Sequence, residues 1–458
     1  MSYDKPLSLS LQKEIEKRNL SLDSEIHTAL QALRIKSLLC RSNIMKARGY
    51  TTGALLYWLL LLPFIMKRTT FLWTGNAFLD AKKDTFYRFL NNEYFHWRAF
   101  IYRLVLKMIA VCDDVPLKEK TLILDDTIEK KTGKEMELVS YHFDHTTQKS
   151  VLGYQCVQLG YHNGKQFFPL DAGFHVSKSR PNTRVKSIDK RSTGWKRRKE
   201  AFRKKTTVAV DMLRRAWNQG IVASFVLFDS WYAHDALIAD ILEIGYGVIC
   251  RLKSNRVKYC YEGCQYTLKQ LWQNVAKKNA RSIHGFPYKG ICLKATLPKS
   301  GEIAILFVSD GKKQWNAFLC TDTELKPSEI LTYYARRWAI EIFFKDGKQM
   351  LYMGKEQSET FDAVVASYSL VMIRYLLLIF ILRRYHRTVP LGPLFRELAE
   401  THLQLIMMET MWGYIKNILI LSSDLLLGEI EPDRFLHFLD IVEDAILIQV
   451  QGAAAKLK

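Results

Sequence analysis

A chain of 458 residues with 48% hydrophobic and 12% aromatic side chains is too apolar for wholesale disorder, and its length suits two to four structural units. Its 67 Lys and Arg against 46 Asp and Glu leave a formal charge of +21. That excess repels itself unless a polyanion offsets it, and nucleic acid is the leading candidate, with a solvated basic surface as the plain alternative.

The charge is uneven. From Thr388 onward five Lys or Arg face ten Asp or Glu, which leaves about +26 for the rest and argues against a DNA-binding tail. Two apolar runs, Ala54 to Met66 with Pro63 inside it and Val371 to Leu382 with Arg374 inside it, fall short of a membrane span and read as buried helices. Met1 to Arg18 is polar and charged, unlike a signal peptide, so a cytoplasmic protein with no membrane contact is expected. The eight cysteines are scattered as in a reduced compartment. Cys260 and Cys264 have a spacing that could hold zinc, but no second close pair of Cys or His follows them.

In chain order, residues 1–115 show apolar positions at three- and four-residue intervals, interrupted by Gly-Tyr-Thr-Thr-Gly at Gly49 to Gly53. Lys46, Arg48, Lys67, Arg68, Lys82, Lys83, Arg88, Arg98 and Arg103 alternate with Tyr87, Trp97 and Tyr102. This suits a helical DNA-binding module, and equally any basic bundle. At Leu122-Ile123-Leu124 a short apolar run meets Asp125-Asp126-Thr127, as a buried strand ending at a site would. Val151 to Tyr161 and Gln166 to His175 read as two strands joined at His162-Asn163-Gly164-Lys165, where Asn-Gly signals a hairpin.

Helical spacing then runs from about Lys199 to Asn218, a strand from Ser224 to Phe228 ends at Asp229, and a helix from Ala233 to Ile244 precedes a strand from Tyr246 to Arg251. The order β-β-β-α-β-α-β implies a mixed α/β sheet with active groups at the carboxyl ends of strands. A β-rich insertion over 253–322 follows, with turns at Glu262-Gly263, Pro298 to Gly301 and Asp310-Gly311, and then one long helix from Lys326 to about Gln349. The chain divides accordingly into 1–115, a core in two parts (116–252 and 323–387) around the insertion, and a helical C-terminal region over 388–458.

Two strands that end in carboxylates, at Asp125-Asp126 and at Asp229, offer the hard anionic oxygens that divalent cations require. Two such ions about 4 Å apart can activate a hydroxyl and stabilise the leaving oxygen in phosphodiester cleavage. At 100° per residue Tyr334, Arg337, Glu341 and Lys348 share one helical face, where a carboxylate is flanked by groups suited to phosphate. An ordinary amphipathic helix and strand-end aspartates acting as caps are the bland readings of the same residues.

The spacing Tyr-x2-Arg-x3-Glu-x6-Lys at Tyr334, Arg337, Glu341 and Lys348 resembles the signature of the insertion-sequence-four family of DDE transposases. Leu-Asp-Asp-Thr around Asp125 and Leu-Phe-Asp-Ser-Trp-Tyr around Asp229 resemble that family's first two catalytic motifs, in order, and the resemblance covers roughly residues 40–385. It implies an RNase H-like core with a β-rich insertion before the catalytic glutamate. It further implies cut-and-paste transposition with Mg²⁺ or Mn²⁺, commonly through a DNA hairpin, and a homodimer that pairs two transposon ends of double-stranded DNA, with a nucleoid-associated location in a prokaryote.

By motif, Asp125, Asp229 and Glu341 would be the catalytic metal ligands, while Tyr334, Arg337 and Lys348 would hold DNA phosphates. The family pattern Asp-x-Thr selects Asp125, with Asp126 the alternative, since neighbours on a strand face opposite sides. Trp315, ahead of Phe318 to Thr321, is the candidate to stack a flipped base, with a core role as its alternative. The densest basic run, Lys178 to Lys205, would grip the backbone through Lys196, Arg197, Arg198, Lys199, Arg203, Lys204 and Lys205, or else be a solvated face. The apolar clusters of the C-terminal region suit protein contact. An RNase H-like nuclease or resolvase without strand transfer, or a DNA-binding protein descended from a transposase, would share many of these features.

Overall fold

The computed structural model describes residues 25–66, 81–112, 115–311, 314–422, 434–442 and 444–445. Lys67 and Arg68, and much of the acidic tail, lie outside the described residues.

In chain order the N-terminal region supplies α1 (Glu25–Ala32), α2 (Ile35–Arg41), α3 (Thr52–Leu61), α4 (Lys83–Leu90) and α5 (Trp97–Cys112). The core follows with β1 (Thr121–Lys130), β2 (Ser140–Asp144), β3 (Lys149–His162), β4 (Phe167–His175), α6 (Thr193–Ala201), α7 (Lys205–Asn218), β5 (Phe225–Phe228), α8 (Asp235–Ile244) and β6 (Gly247–Leu252). The insertion adds β7 (Lys258–Tyr261), β8 (Cys264–Thr267), a short helical stretch over 268–279, β9 (Arg281–Ser282), β10 (Lys289–Leu297), β11 (Gly301–Ser309) and β12 (Trp315–Cys320). Four helices follow, α9 (Pro327–Ala335), α10 (Trp338–Gln349), α11 (Phe361–Arg384) and α12 (Leu391–Leu421), and residues 434–442 are helical as well.

The chain packs as two compact units. One comprises the described residues of 1–35, 53–86 and 380–458. It is helical, with α3 fully apolar on its buried side (Leu55, Leu56, Leu59 and Leu60), the Phe64 and Phe395 rings 4.8 Å apart, and Arg387 paired with Glu25 and Glu397 at 2.8 and 3.0 Å. Along α12 the other face of the helix leaves Met407, Met411, Tyr414 and Ile418 at least half exposed.

The second unit, 36–52 and 87–379, holds a mixed sheet of twelve strands among the described residues, consistent with an RNase H-like core. Its main order is β2-β3-β1-β5-β6-β12-β11-β10-β7-β8, with β4 on β3 and β9 on β10. Leu122, Ile123 and Leu124 are fully buried because β1 lies mid-sheet, antiparallel to β3 and parallel to β5. The Asn-Gly hairpin stands where the sequence puts it: Asn163 Oδ1 accepts the backbone N–H groups of Lys165 and Gln166, and Gly164 takes φ +93, a conformation glycine reaches without strain.

Four expectations need correction. The core opens with four strands rather than three, β2 being the addition, and β1 runs on through Asp125 to Lys130 instead of stopping at the carboxylates. The helix expected from Lys199 to Asn218 is two, α6 and α7, parted at 202–204. The helix expected from Lys326 to Gln349 is also two. At the break, the backbone N–H groups of Arg336 and Arg337 bond to Tyr333 and Tyr334, three residues back, a tighter turn than an α-helix makes. The insertion shares the main sheet: β12 returns antiparallel to β6, pairing Ile249 with Cys320 and Leu252 with Ala317.

Val371 to Leu382 is helical and buried as expected, within α11. By length and composition α11 could cross a membrane, yet 94% of its apolar window is buried inside the protein, as in a core helix.

Candidate active site

The pairing of β1 with β5 ends at Ile123 opposite Leu227. Two residues further along each parallel strand stand Asp125 and Asp229, so the register itself delivers both carboxylates to the same sheet end. Asp229 follows the last residue of β5 and its Oδ1 accepts the backbone N–H of Trp231 at 2.9 Å, which fixes the turn. Burial pushes the Asp125 carboxyl up to about 7; Arg337 opposes that, and the nearby negative charge of Asp229 adds to it.

The third carboxylate arrives from the far side of the insertion. Tyr333 donates its hydroxyl to the Lys118 carbonyl at 2.7 Å, and Arg336 donates to the Glu119 carbonyl at 2.7 Å and pairs with the Glu119 carboxylate. These bonds tether the α9 to α10 break to the segment that leads into β1. Arg337, at the start of α10, then reaches Asp125 Oδ2 at 3.0 Å with one nitrogen and pairs with Glu341 through the other. Asp125 and Glu341 are thus held by one guanidinium.

Further along α10, Lys348 Nζ donates to Thr127 Oγ1 at 2.7 Å. Tyr334 packs its ring 4.8 Å from Phe318, with the Arg337 guanidinium 5.6 Å from its centroid, and burial pushes its phenol up to about 12. The break between α9 and α10 does not scatter the four residues of the spaced motif. Arg337, Glu341 and Lys348 face β1, and Tyr334 stacks behind Arg337.

Strand alternation separates the two neighbouring aspartates. Asp125 and Thr127 face α10, whereas Asp126 turns to the other side, where Lys205 at 2.5 Å, Tyr232 at 3.1 Å and Gln155 at 3.0 Å all donate to it. Lys205 also sits 3.6 Å from the Trp231 ring.

The carboxylate donors suit a hard divalent cation, being oxygens from three separate elements beside an Asp125 that favours nearby positive charge. In the described structure Arg337 supplies that charge. Among the described residues no three His, Cys, Asp or Glu side chains are gathered closely enough to ligate one ion together, and this includes Cys260 and Cys264 on the β7–β8 hairpin.

The basic run divides by exposure. Lys196, Lys199, Arg203 and Lys204 are exposed, while Arg197 turns inward to the Ala172 carbonyl at 3.2 Å. Arg198 is 3% exposed and forks onto Glu137 (2.7 Å to each oxygen) and Asp362 (2.8 and 2.9 Å). Arg198 and Lys205 are therefore placed as cross-links inside the fold rather than as part of a basic surface. Trp315 stacks on Trp272, ring centroids 5.5 Å apart at 17°, with Phe307 5.6 Å away.

Sequence reasoning missed Glu137 and Glu129. Glu137 accepts the Arg198 fork and the backbone N–H groups of Lys186 and Phe361. Glu129 is 3% exposed and stands two residues beyond Thr127 on the same face of β1. Its place in the alternation Asp125, Thr127, Glu129 was a signal that could have found it.

Two comparisons bear on the site. The family described as DDE superfamily endonuclease matches residues 67–263, and the family described as Transposase DDE domain matches residues 199–377. No curated protein matches the chain. Asp125 lies in the first match, Glu341 in the second and Asp229 in both. The two matches together support a DDE transposase family for this chain, and with it nuclease-type chemistry on DNA.

Proposed function

We propose that this protein is a DNA transposase of the insertion-sequence-four type, in which Asp125, Asp229 and Glu341 are the catalytic carboxylates of cut-and-paste transposition. The observation that carries the reading is the convergence at one sheet end: the β1–β5 register sets Asp125 beside Asp229, and Arg337 links Asp125 to Glu341. Asp126, already holding three donors, is the structural partner in the pair.

Asp125, Asp229 and Glu341 would hold Mg²⁺ or Mn²⁺, as one or two ions, which would supply Lewis-acid activation of the attacking hydroxyl and charge stabilisation of the leaving oxygen. The chain's own residues do the rest. Arg337 keeps Asp125 and Glu341 together, and its fork would turn to a phosphate when a cation takes over those carboxylates. Lys348, anchored at Thr127, aims a point charge along the same face, and Tyr334 supports Arg337 from behind. The exposed Lys196, Lys199, Arg203 and Lys204 would meet the DNA backbone away from the cut. Trp315, in its stack with Trp272, would receive a base extruded during hairpin formation.

A homodimer that pairs two DNA ends is part of this reading. Along α12, Met407, Met411, Tyr414 and Ile418 are exposed at alternating spacings of four, three and four, the repeat of a helix-on-helix seam. A monodisperse monomer, both alone and on end DNA, would argue against it.

The enzymatic test is Mg²⁺-dependent cleavage of duplexes cut from the DNA bordering the gene, followed by strand transfer from pre-cut ends. Cleavage by the wild type and none by Glu341→Ala supports the assignment. Equal cleavage by both refutes it, and cleavage without strand transfer makes the protein a nuclease.

A further inference from the structure

Glu129 is a buried carboxylate for which the scheme above has no use. It lies on the α10-facing side of β1, in line with Asp125 and Thr127, and neither of its oxygens receives a hydrogen bond among the described residues. The loop after α10 closes over it. Gly354, at φ +76, stands so close that an added Cβ would lie 3.5 Å from the Glu129 Cβ, and Lys131 clamps that loop by donating to the Gly354 and Glu356 carbonyls at 2.9 and 3.1 Å. A buried acceptor without a donor is costly to keep and calls for a role.

Lys131 is engaged with the loop, and the other ammonium that acts on Glu129 is that of Lys348, 2.7 Å from Thr127 Oγ1, one strand repeat from Glu129. We propose that Glu129 is a positioning residue for Lys348: its carboxylate and a DNA phosphate compete for the same ammonium, with Thr127 as the resting point between them. This rests on reading Lys348 as a phosphate contact.

The groups that face Glu129 come from five parts of the fold: Lys131 beside its own strand, Lys348 on α10, Glu356 in the covering loop, Tyr154 and Cys156 on β3, and Tyr368 on α11. Burial, and after it the negative Glu356, push Glu129 up to about 8, while Lys131 and Lys348 oppose the rise. Below that pH the neutral acid leaves Lys348 free for phosphate. Above it the carboxylate draws the ammonium back. Burial also lowers the pKa of Lys348, and Asp125 beside Arg337 is raised to about 7, so loss of the lysine's own proton and ionisation of Asp125 are the competing explanations for an alkaline effect, and either would persist in Glu129→Gln.

The experiment measures affinity of the full chain, without divalent metal, for a duplex cut from the DNA bordering the gene, from about pH 7 to about pH 9. Wild-type affinity should fall by about tenfold across that range, the worth of one charge-assisted contact. Glu129→Gln, which cannot ionise, should abolish the fall. Lys348→Ala should bind weakly at both ends of the range, with no fall either. A flat wild-type profile, or a fall that persists in Glu129→Gln, overturns the proposal. If Glu129→Gln does not fold, a fall retained in Lys348→Ala overturns it instead. Wild-type affinity in Lys348→Ala at about pH 7 removes the phosphate-contact reading itself, and the proposal with it, so the two failures are distinguishable.

Discussion

The two faces of β1 carry acidic side chains put to opposite uses. On one face Asp126 is saturated by an ammonium, a phenol and an amide, and its charge is consumed in holding α7 and the turn after Asp229 to the sheet. On the other, Asp125 is held, among the described residues, by Arg337 and by the N–H of its neighbour, close to a second negative charge, in a setting that raises its pKa. The number of donors already spent on a carboxylate separates the structural aspartate from the one with capacity left for chemistry, although the two are adjacent in the chain.

That contrast can be broken by substitution. Asp125→Ala should reduce metal-dependent DNA cleavage by more than about a thousandfold while leaving the unfolding midpoint near wild type, since Arg337 keeps Glu341 as its ionic partner. Arg198→Ala should do the reverse. It orphans two buried carboxylates, Glu137 and Asp362, and should cost about 4 kcal/mol in denaturant unfolding, with DNA affinity per folded molecule little changed. Asp126→Ala should resemble Arg198→Ala more than Asp125→Ala, costing about 3 kcal/mol because Lys205 is left buried and unpaired. Were Asp126→Ala to fold at full stability and fail only in cleavage, the roles assigned to the two aspartates would be exchanged.

Smaller effects sharpen the picture. The folded state raises the pKa of Glu129, so ionising it costs stability. That cost is absent below the ordinary glutamate range and grows as pH rises toward about 8, above which it is constant. The stability difference between Glu129→Gln and wild type should therefore shift in favour of the variant over that window, as measured by thermal unfolding. Lys199→Ala should leave stability unchanged and lower the slope of log affinity against log salt by about 1, the signature of one exposed phosphate contact.

Much of this was legible in the chain. Asp125, Asp229 and Glu341 each sit in short motifs whose spacing survives translation into structure, and the Asn163-Gly164 turn and the β5 strand depend on local preferences. What escaped depends on distant partners. Nothing within the Lys196 to Lys199 run distinguishes Arg198 from its neighbours, because Glu137 and Asp362, which draw it inward, lie 61 and 164 residues away. The break at Arg336 and Arg337 follows bonds to Lys118 and Glu119, more than 200 residues earlier. The insertion joins the main sheet through the β6–β12 pairing, which no local pattern announces.

The most direct test is a crystal structure with Mn²⁺ and a DNA end, using anomalous scattering to place the metal. The account predicts manganese bound by Asp125 and Asp229, with Glu341 completing the site and Asp126 still bonded to Lys205. Manganese on Asp126, or at a position that none of the three carboxylates reaches, would contradict it.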